Sequence, residues 1–265
     1  MKLRPDTAKL KLMKIIRFYK DSKIQYGILH DNSVQVIEGE PFDGIKTTDT
    51  RYNPGELRLL APCVPSKIVA LGVNYRSHAK EMGSTLPEAP LIFIKPPTSV
   101  IGPEDNIIYP PSSTRVDYEC ELGVVIKKEA RQVSEEDSLS YVLGYTCFND
   151  VTARDLQRKD GQWTRAKSFN TFAPAGPCIE TELDPGNVPV ETYLNGECKQ
   201  QGNTSDLIFS VPEQISFISQ VMTLLPGDII ATGTPSGIGP MQPGDTVEIR
   251  IAPIGILRNY VVKQD

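Results

Sequence analysis

From Lys67 onward the sequence is a succession of short runs rich in β-branched and aromatic residues: KIVALGV, LIFIK, RVDYECELGVVI, VLGYTCFND, VPVETYLNG, GDIIATG and DTVEIRI. Runs of this length, closed off by glycine, proline, asparagine and aspartate, are strand signals. Helical signals are few. SEEDSLSYV opens with a serine cap followed by acids, and PEQISFISQVMTLLPG has proline in its first turn and a Pro-Gly stop. VTARDLQRKDG has room for about two and a half turns before Gly161. So many strands with so few helices confine the chain to a mainly β, α+β architecture, with a rolled, barrel-like mixed sheet. The Asn-Gly pair of YLNGEC marks a hairpin turn.

Ahead of this region, KIIRFY, IQYGIL, the turn HDNS and VQVIEG have hairpin character between Met13 and Gly39. The polar stretch FDGIKTTDTRYNPGELRLLAP that follows reads as a linker. The expected division is a small N-terminal β module with its linker over residues 1–62 and a main, catalytic domain over 63–265. At 265 residues the chain can bury a sizeable core. Charged residues make up 23% and the formal net charge is −5, with no basic patch that would point to nucleic acid. The beginning, MKLRPDTAKLKLMKII, lacks the apolar segment of a signal peptide, and no run of about 18 apolar residues occurs. A cytoplasmic protein without membrane contact is the expectation. Five cysteines, Cys63, Cys120, Cys147, Cys178 and Cys198, are scattered and form no CxxC pair, so they read as buried thiols and not as disulfides or zinc ligands.

One strand breaks the pattern. In RVDYECELGVVI, alternation puts Val116, Tyr118, Cys120, Leu122 and Val124 on one face and Arg115, Asp117, Glu119 and Glu121 on the other. Acids about 7 Å apart along a strand repel one another if the site is desolvated, so this face calls for positive charge. Arg115 offers Asp117 an ordinary surface ion pair. Glu119 and Glu121 remain. The run VLGYTCFND ends at Asn149-Asp150, and if its strand is a neighbour, Asp150 joins them. Three carboxylates with positions left for water suit a hard divalent cation such as Mg2+ or Mn2+. A solvated edge-strand face is the alternative on spacing alone.

The ordered motifs DYExELxVVI, GYxxxNDxTARDxQ, WxxAKSF and GDIIxTGTPxGxG resemble the fumarylacetoacetate hydrolase family, especially its acylpyruvase and 2-hydroxyhepta-2,4-diene-1,7-dioate isomerase branch. The likeness runs from about Lys67 to the C-terminus. It implies the family's rolled β fold, a homodimer, and a Mg2+ or Mn2+ site in which Glu119, Glu121 and Asp150 fall on the metal ligands. His78 and Glu81 in VNYRSHAKEMG lie three residues apart, on one face of a short helix that Asn74 or Ser77 could cap and Gly83 could end. A His/Glu pair so placed suits a general base, although a surface pair would show the same spacing. The resemblance implies a water-activating dyad on a lid. It also implies substrate contacts for Lys167 in RAKSF and for Gln157.

Gly233-Thr234-Pro235 lacks the lysine of a P-loop, and a backbone amide with the Thr234 hydroxyl could approach a carboxylate there. Arg76, beside the dyad, is a weaker candidate for charge recognition. His30, in HDNS, reads as structural or exposed. The implied activity is C–C bond hydrolysis of acylpyruvates or related β-diketo acids, with pyruvate enolate as leaving group and a 2-oxo acid as the small-molecule partner. Isomerisation or decarboxylation of 2-oxo dicarboxylates shares that enolate and stands as the alternative. A noncatalytic oxo-acid binding protein is a third possibility, disfavoured by the presence of both dyad residues.

Overall fold

The structure, a computed structural model, describes residues 13–264. Every strand-like run named above forms a strand. In chain order the strands are β1 (Lys14–Lys20), β2 (Lys23–His30), β3 (Ser33–Ile37), β4 (Thr47–Tyr52), β5 (Arg58–Leu60), β6 (Ile68–Gly72), β7 (Leu91–Lys95), β8 (Val100–Ile101), β9 (Asn106–Tyr109), β10 (Val116–Tyr118), β11 (Cys120–Ile126), β12 (Val142–Asn149), β13 (Thr152–Ala153), β14 (Ala173–Glu180), β15 (Pro189–Leu194), β16 (Glu197–Asn203), β17 (Ile229–Ala231), β18 (Gly239–Met241), β19 (Thr246–Ile251) and β20 (Gly255–Lys263). The helices are α1 (Arg76–Glu81), α2 (Glu135–Ser138), α3 (Arg154–Asp160), α4 (Thr164–Lys167) and α5 (Val211–Val221).

The main sheet runs β4-β3-β2-β1-β14-β12-β11-β17-β6-β7, with β5 added to β1 and β8 to β14. Smaller sheets are β13-β10-β18 and β16-β15-β19-β20-β9. Most pairings are antiparallel, but β6–β17, β8–β14 and β9–β20 are parallel, which makes the fold mixed. The large sheet keeps free edges at β4 and β7, so it rolls without closing into a barrel.

β11 sits in the middle, between β12 and β17, and all seven of its residues are buried. Cys120, Leu122, Val124 and Ile126 pack into one apolar cluster, whereas Val125 packs into another on the opposite face. Covering both faces places Glu119 and Glu121 in the interior. The acidic row is therefore not a solvated face: Asp117 is 0% exposed, Glu119 5% and Glu121 1%. The expected Arg115–Asp117 pair forms at 2.8 Å, but it is no surface pair on the aspartate's side, because Arg154 closes over the other carboxylate oxygen at 2.9 Å.

Two further expectations change. The stretch read as a linker contains β4, which pairs with β3, and β5, which pairs with β1, so its polar residues lie on sheet edges. β1 itself pairs with β14, which draws the N-terminal segment into the main sheet. Helix α5 starts where the sequence places it, with a Ser210/Glu213 capping box and proline in the first turn. It stops at Val221, short of the Pro-Gly, because Leu224 forms a β-bridge with Ala130 and pulls the chain out of helical geometry. The hairpin turn stands as read: Asn195 and Gly196 both have positive φ, 52° and 83°, between β15 and β16. Among the described residues no helix is long and apolar enough to cross a membrane.

Four of the five cysteines are buried, and Cys198 on β16 is exposed, contrary to the reading of all five as buried. Burial pushes the Cys63 and Cys178 thiols up to about 12 and raises Cys120 and Cys147 further. With a thiol-specific reagent at neutral pH the folded protein is expected to titrate one rapid thiol, and the unfolded protein five. Two or more rapid thiols in the native state would show that the core opens around a buried cysteine.

Candidate active site

The antiparallel register of β11 on β12 sets Cys120 opposite Asn149, which brings the ends of both strands to one place. There Glu119, Glu121 and Asp150 each offer a carboxylate oxygen, and the three oxygens lie within 4.8 Å of one another. Such a group of buried anions requires countercharge. Lys167, from α4, donates to Glu119 Oε2 at 2.9 Å and to Asp150 Oδ2 at 2.5 Å. Lys95, at the end of β7 and fully buried, donates to the other oxygen of Asp150 at 2.5 Å and to the Val151 carbonyl at 3.2 Å. Arg154, at the start of α3, pairs with Glu119 as well as Asp117 and donates to Gln157 Oε1 at 2.6 Å.

These partners divide the three acids. Burial alone would raise the pKa of Glu119, but Lys167 and Arg154 outweigh it and hold the carboxyl well below the usual range. Glu121 has no ion-pair partner among the described residues. It accepts one hydrogen bond, from the Gly233 amide at 2.9 Å, and burial, followed by the charges of Asp150 and Glu119, raises it well above the ordinary carboxylate value. Burial likewise lowers Lys95, whose carboxylate contact is Asp150 alone, whereas Asp150 and Glu119 together overcome burial and raise Lys167. An anion left with one neutral donor beside two others is a group that a divalent cation would stabilise. The all-oxygen donor set fits Mg2+ or Mn2+.

A cavity of about 290 Å3 is lined by Glu119, Glu121, Lys167, Arg154, Gln157, Thr234 and His78. His78 Nδ1 is 3.0 Å from Glu81 Oε2, and the Gly237 amide donates to the other oxygen of Glu81 at 2.9 Å. A carboxylate only accepts, so the Nδ1 proton is shared with Glu81 and a neutral imidazole keeps its Nε2 lone pair. α1 is fastened without the caps expected from its sequence. The Asp206 carboxylate accepts from the Ser77 amide at 2.9 Å, whereas the Asn74 side chain is tied to the Phe209 and Thr232 backbones. Gly83, at φ 64°, ends the helix as read. Val73, which also lines the cavity, has φ 51°, a conformation that costs a β-branched residue about 1–3 kcal/mol.

The remaining candidates fall in different places. The Gln157 carbonyl is taken by Arg154, which leaves its amide N–H groups available at the cavity. Thr234 Oγ1 accepts from Gln200 at 2.8 Å, so its own proton is free to donate. Gly233, at φ 100° and with Asn74 Cβ 2.8 Å from where its own Cβ would stand, has room for no side chain, and its amide is committed to Glu121. The structure does not bring Arg76 to the cavity, since its guanidinium donates to the Leu207 carbonyl at 2.5 Å and the Asp206 carbonyl at 3.3 Å. His30 is exposed in the β2–β3 turn. Sequence reasoning missed Lys95 and Arg154. A lysine closing the apolar run LIFIK, and an arginine four residues after Asp150, were the available signals.

Arg154 carries a prediction about stability. Replacing it with leucine strands two buried carboxylates, and removing one partner of a buried pair costs about 3–5 kcal/mol. Chemical denaturation of Arg154→Leu should show a loss of that order. A loss below ~1 kcal/mol, the worth of an exposed pair, would mean that Arg115 and Lys167 suffice.

The family profile described as fumarylacetoacetate (FAA) hydrolase C-terminal matches residues 67–262, and a Rv2993c-like N-terminal profile matches 13–62. An uncharacterized protein of Archaeoglobus fulgidus is 54% identical over 241 residues, covering 90% of this chain and 94% of that one. The oxaloacetate tautomerase YisK of Bacillus subtilis is 45% identical over 225 residues, 79% of this chain and 75% of its own. Among solved structures, a 5-carboxymethyl-2-hydroxymuconate delta-isomerase from Mycobacterium smegmatis superposes with a TM-score of 0.91 at 41% identity, covering 95% of this chain and all of that one.

Proposed function

The chain belongs to the fumarylacetoacetate hydrolase family, and from that premise we propose that it is an enzyme that interconverts the keto and enol forms of a short 2-oxo acid such as oxaloacetate. The observation that carries this reading is the buried Lys167 ammonium, bonded to Glu119 and Asp150, lining the same cavity as His78. Enolisation needs two things at once: a base at the carbon next to the keto group, and positive charge at the keto oxygen.

Glu119, Glu121 and Asp150 would hold Mg2+ or Mn2+, which when bound supplies Lewis-acid stabilisation of charge on the keto oxygen. The chain's own residues do the rest. The Gln157 amide and the Thr234 hydroxyl orient the substrate carboxylate. His78 Nε2 takes the proton from the carbon next to the keto group, and Glu81 stabilises the resulting imidazolium through Nδ1. Lys167, kept as the ammonium by its two carboxylates, donates a hydrogen bond to the enolate oxygen without giving up its proton. The imidazolium then returns the proton to that oxygen.

The similarity to an oxaloacetate tautomerase and to a muconate isomerase supports this order of preference. A second reading, hydrolysis of acylpyruvates, is favoured by the His78/Glu81 geometry, which would equally activate a water molecule. Ultraviolet assays with Mg2+ on enol-oxaloacetate, acetylpyruvate, fumarylpyruvate and 2-hydroxyhepta-2,4-diene-1,7-dioate separate the two. Accelerated ketonisation of enol-oxaloacetate above the buffer rate is expected. Acylpyruvate cleavage with no effect on oxaloacetate would replace the first reading by the second.

A further inference from the structure

A second cavity, of about 630 Å3, lies beside the first, and the side chains of Trp163 and Phe93 line both. Trp163 is held on two sides. Its ring lies on Gly72, where an added Cβ would come 2.3 Å from Cζ3 and 2.4 Å from Cη2, and its edge meets the Phe93 ring at 5.2 Å and 81°. Phe93 in turn has the Lys167 ammonium 5.1 Å from its centroid. The two cavities thus share these two rings, and Phe93 stands next to the charged group at the reacting end. The second cavity is mainly apolar; its polar side chains are Gln162, Thr164 and Ser168, and the buried Ser168 hydroxyl has no hydrogen-bond partner among the described residues.

Resting on the reading of the first cavity as a 2-oxo acid site, we propose that Trp163 is the residue that determines substrate length. It ends the first cavity after a short chain. Without the indole the two cavities join, and a 2-oxo acid anchored at the carboxylate cluster extends an apolar tail into the second. Gly72 is the positioning residue for this wall, because any side chain there displaces the ring.

The test is calorimetric binding, in the presence of Mg2+, of straight-chain 2-oxo acids from pyruvate to 2-oxooctanoate. Wild-type affinity should stop rising, then fall, as the tail reaches the indole. In Trp163→Ala it should keep rising by about fourfold per added methylene, the value of burying that group. Gly72→Ala, whose methyl group forces the ring to move, should shift the cut-off, which keeps the test decisive if Trp163→Ala does not fold. Trp163 is the single tryptophan of the chain, so its emission in the wild type should also respond to tails that reach the wall. An unchanged length profile in either folded variant overturns the wall while leaving the 2-oxo acid site in place. If wild type binds none of these acids, the site reading fails and the wall with it.

Discussion

Changing His78 to alanine is expected to lower proton-transfer turnover by about two to four orders of magnitude, the usual contribution of a positioned general base. The expectation follows from its place in the cavity that Lys167 also lines and from the Glu81 carboxylate that fixes its tautomer. Decarboxylation of oxaloacetate, should the enzyme also catalyse it, needs charge at the keto oxygen but no base, so it should fall far less. Lys167→Ala should depress both reactions. Measuring kcat/KM at saturating Mg2+ for each reaction and variant, after checking that each is folded, distinguishes the roles. Turnover by His78→Ala within a few-fold of wild type would mean that this histidine is not the base. Equal losses in all reactions would instead assign α1 to closing the cavity against water.

Removing divalent metal should bring activity to background, and Mg2+ or Mn2+ should restore it. Among the three acids Glu121 gives the cleanest variant. It has no ion-pair partner among the described residues, and burial beside Asp150 and Glu119 disfavours its charge, so Glu121→Gln should leave the metal-free protein at least as stable as wild type. The same change should weaken Mn2+ binding, followed by calorimetry or electron paramagnetic resonance, by more than the ~10–100-fold that an outer-shell substitution costs. Glu119→Gln should weaken binding too, at a cost in stability, because it also removes a partner from Lys167 and Arg154. Full turnover in excess EDTA by protein verified as metal-free would rule out the cation.

Local pattern carried much of the fold and a good part of the site. Short β-branched runs became strands because their preference is expressed residue by residue, and the Asn195-Gly196 turn and the Ser210/Glu213 box act within four residues. The His78/Glu81 pair is of the same kind, since an i,i+3 spacing on a helix is a contact before any tertiary structure exists. Alternation along the strand placed Glu119 and Glu121 on a common side.

What alternation could not decide was which side of that strand meets water. The answer is neither, because β12 and β17 flank β11 and apolar clusters cover both of its faces. Burial then turned an acidic row into a charge problem, and its solution came from far along the chain. Lys95 is 55 positions from Asp150, Arg154 is 35 from Glu119, and the Gly233 amide is 112 from Glu121. The same holds for Asp206 at the start of α1 and for the Trp163 ring on Gly72. Residue types and short spacings are properties of a few neighbouring positions, and these the sequence determined by itself. Countercharge and shape complementarity are properties of a surface that exists only once the sheet has rolled, so only the tertiary structure decided which lysine, which amide and which ring would complete the site.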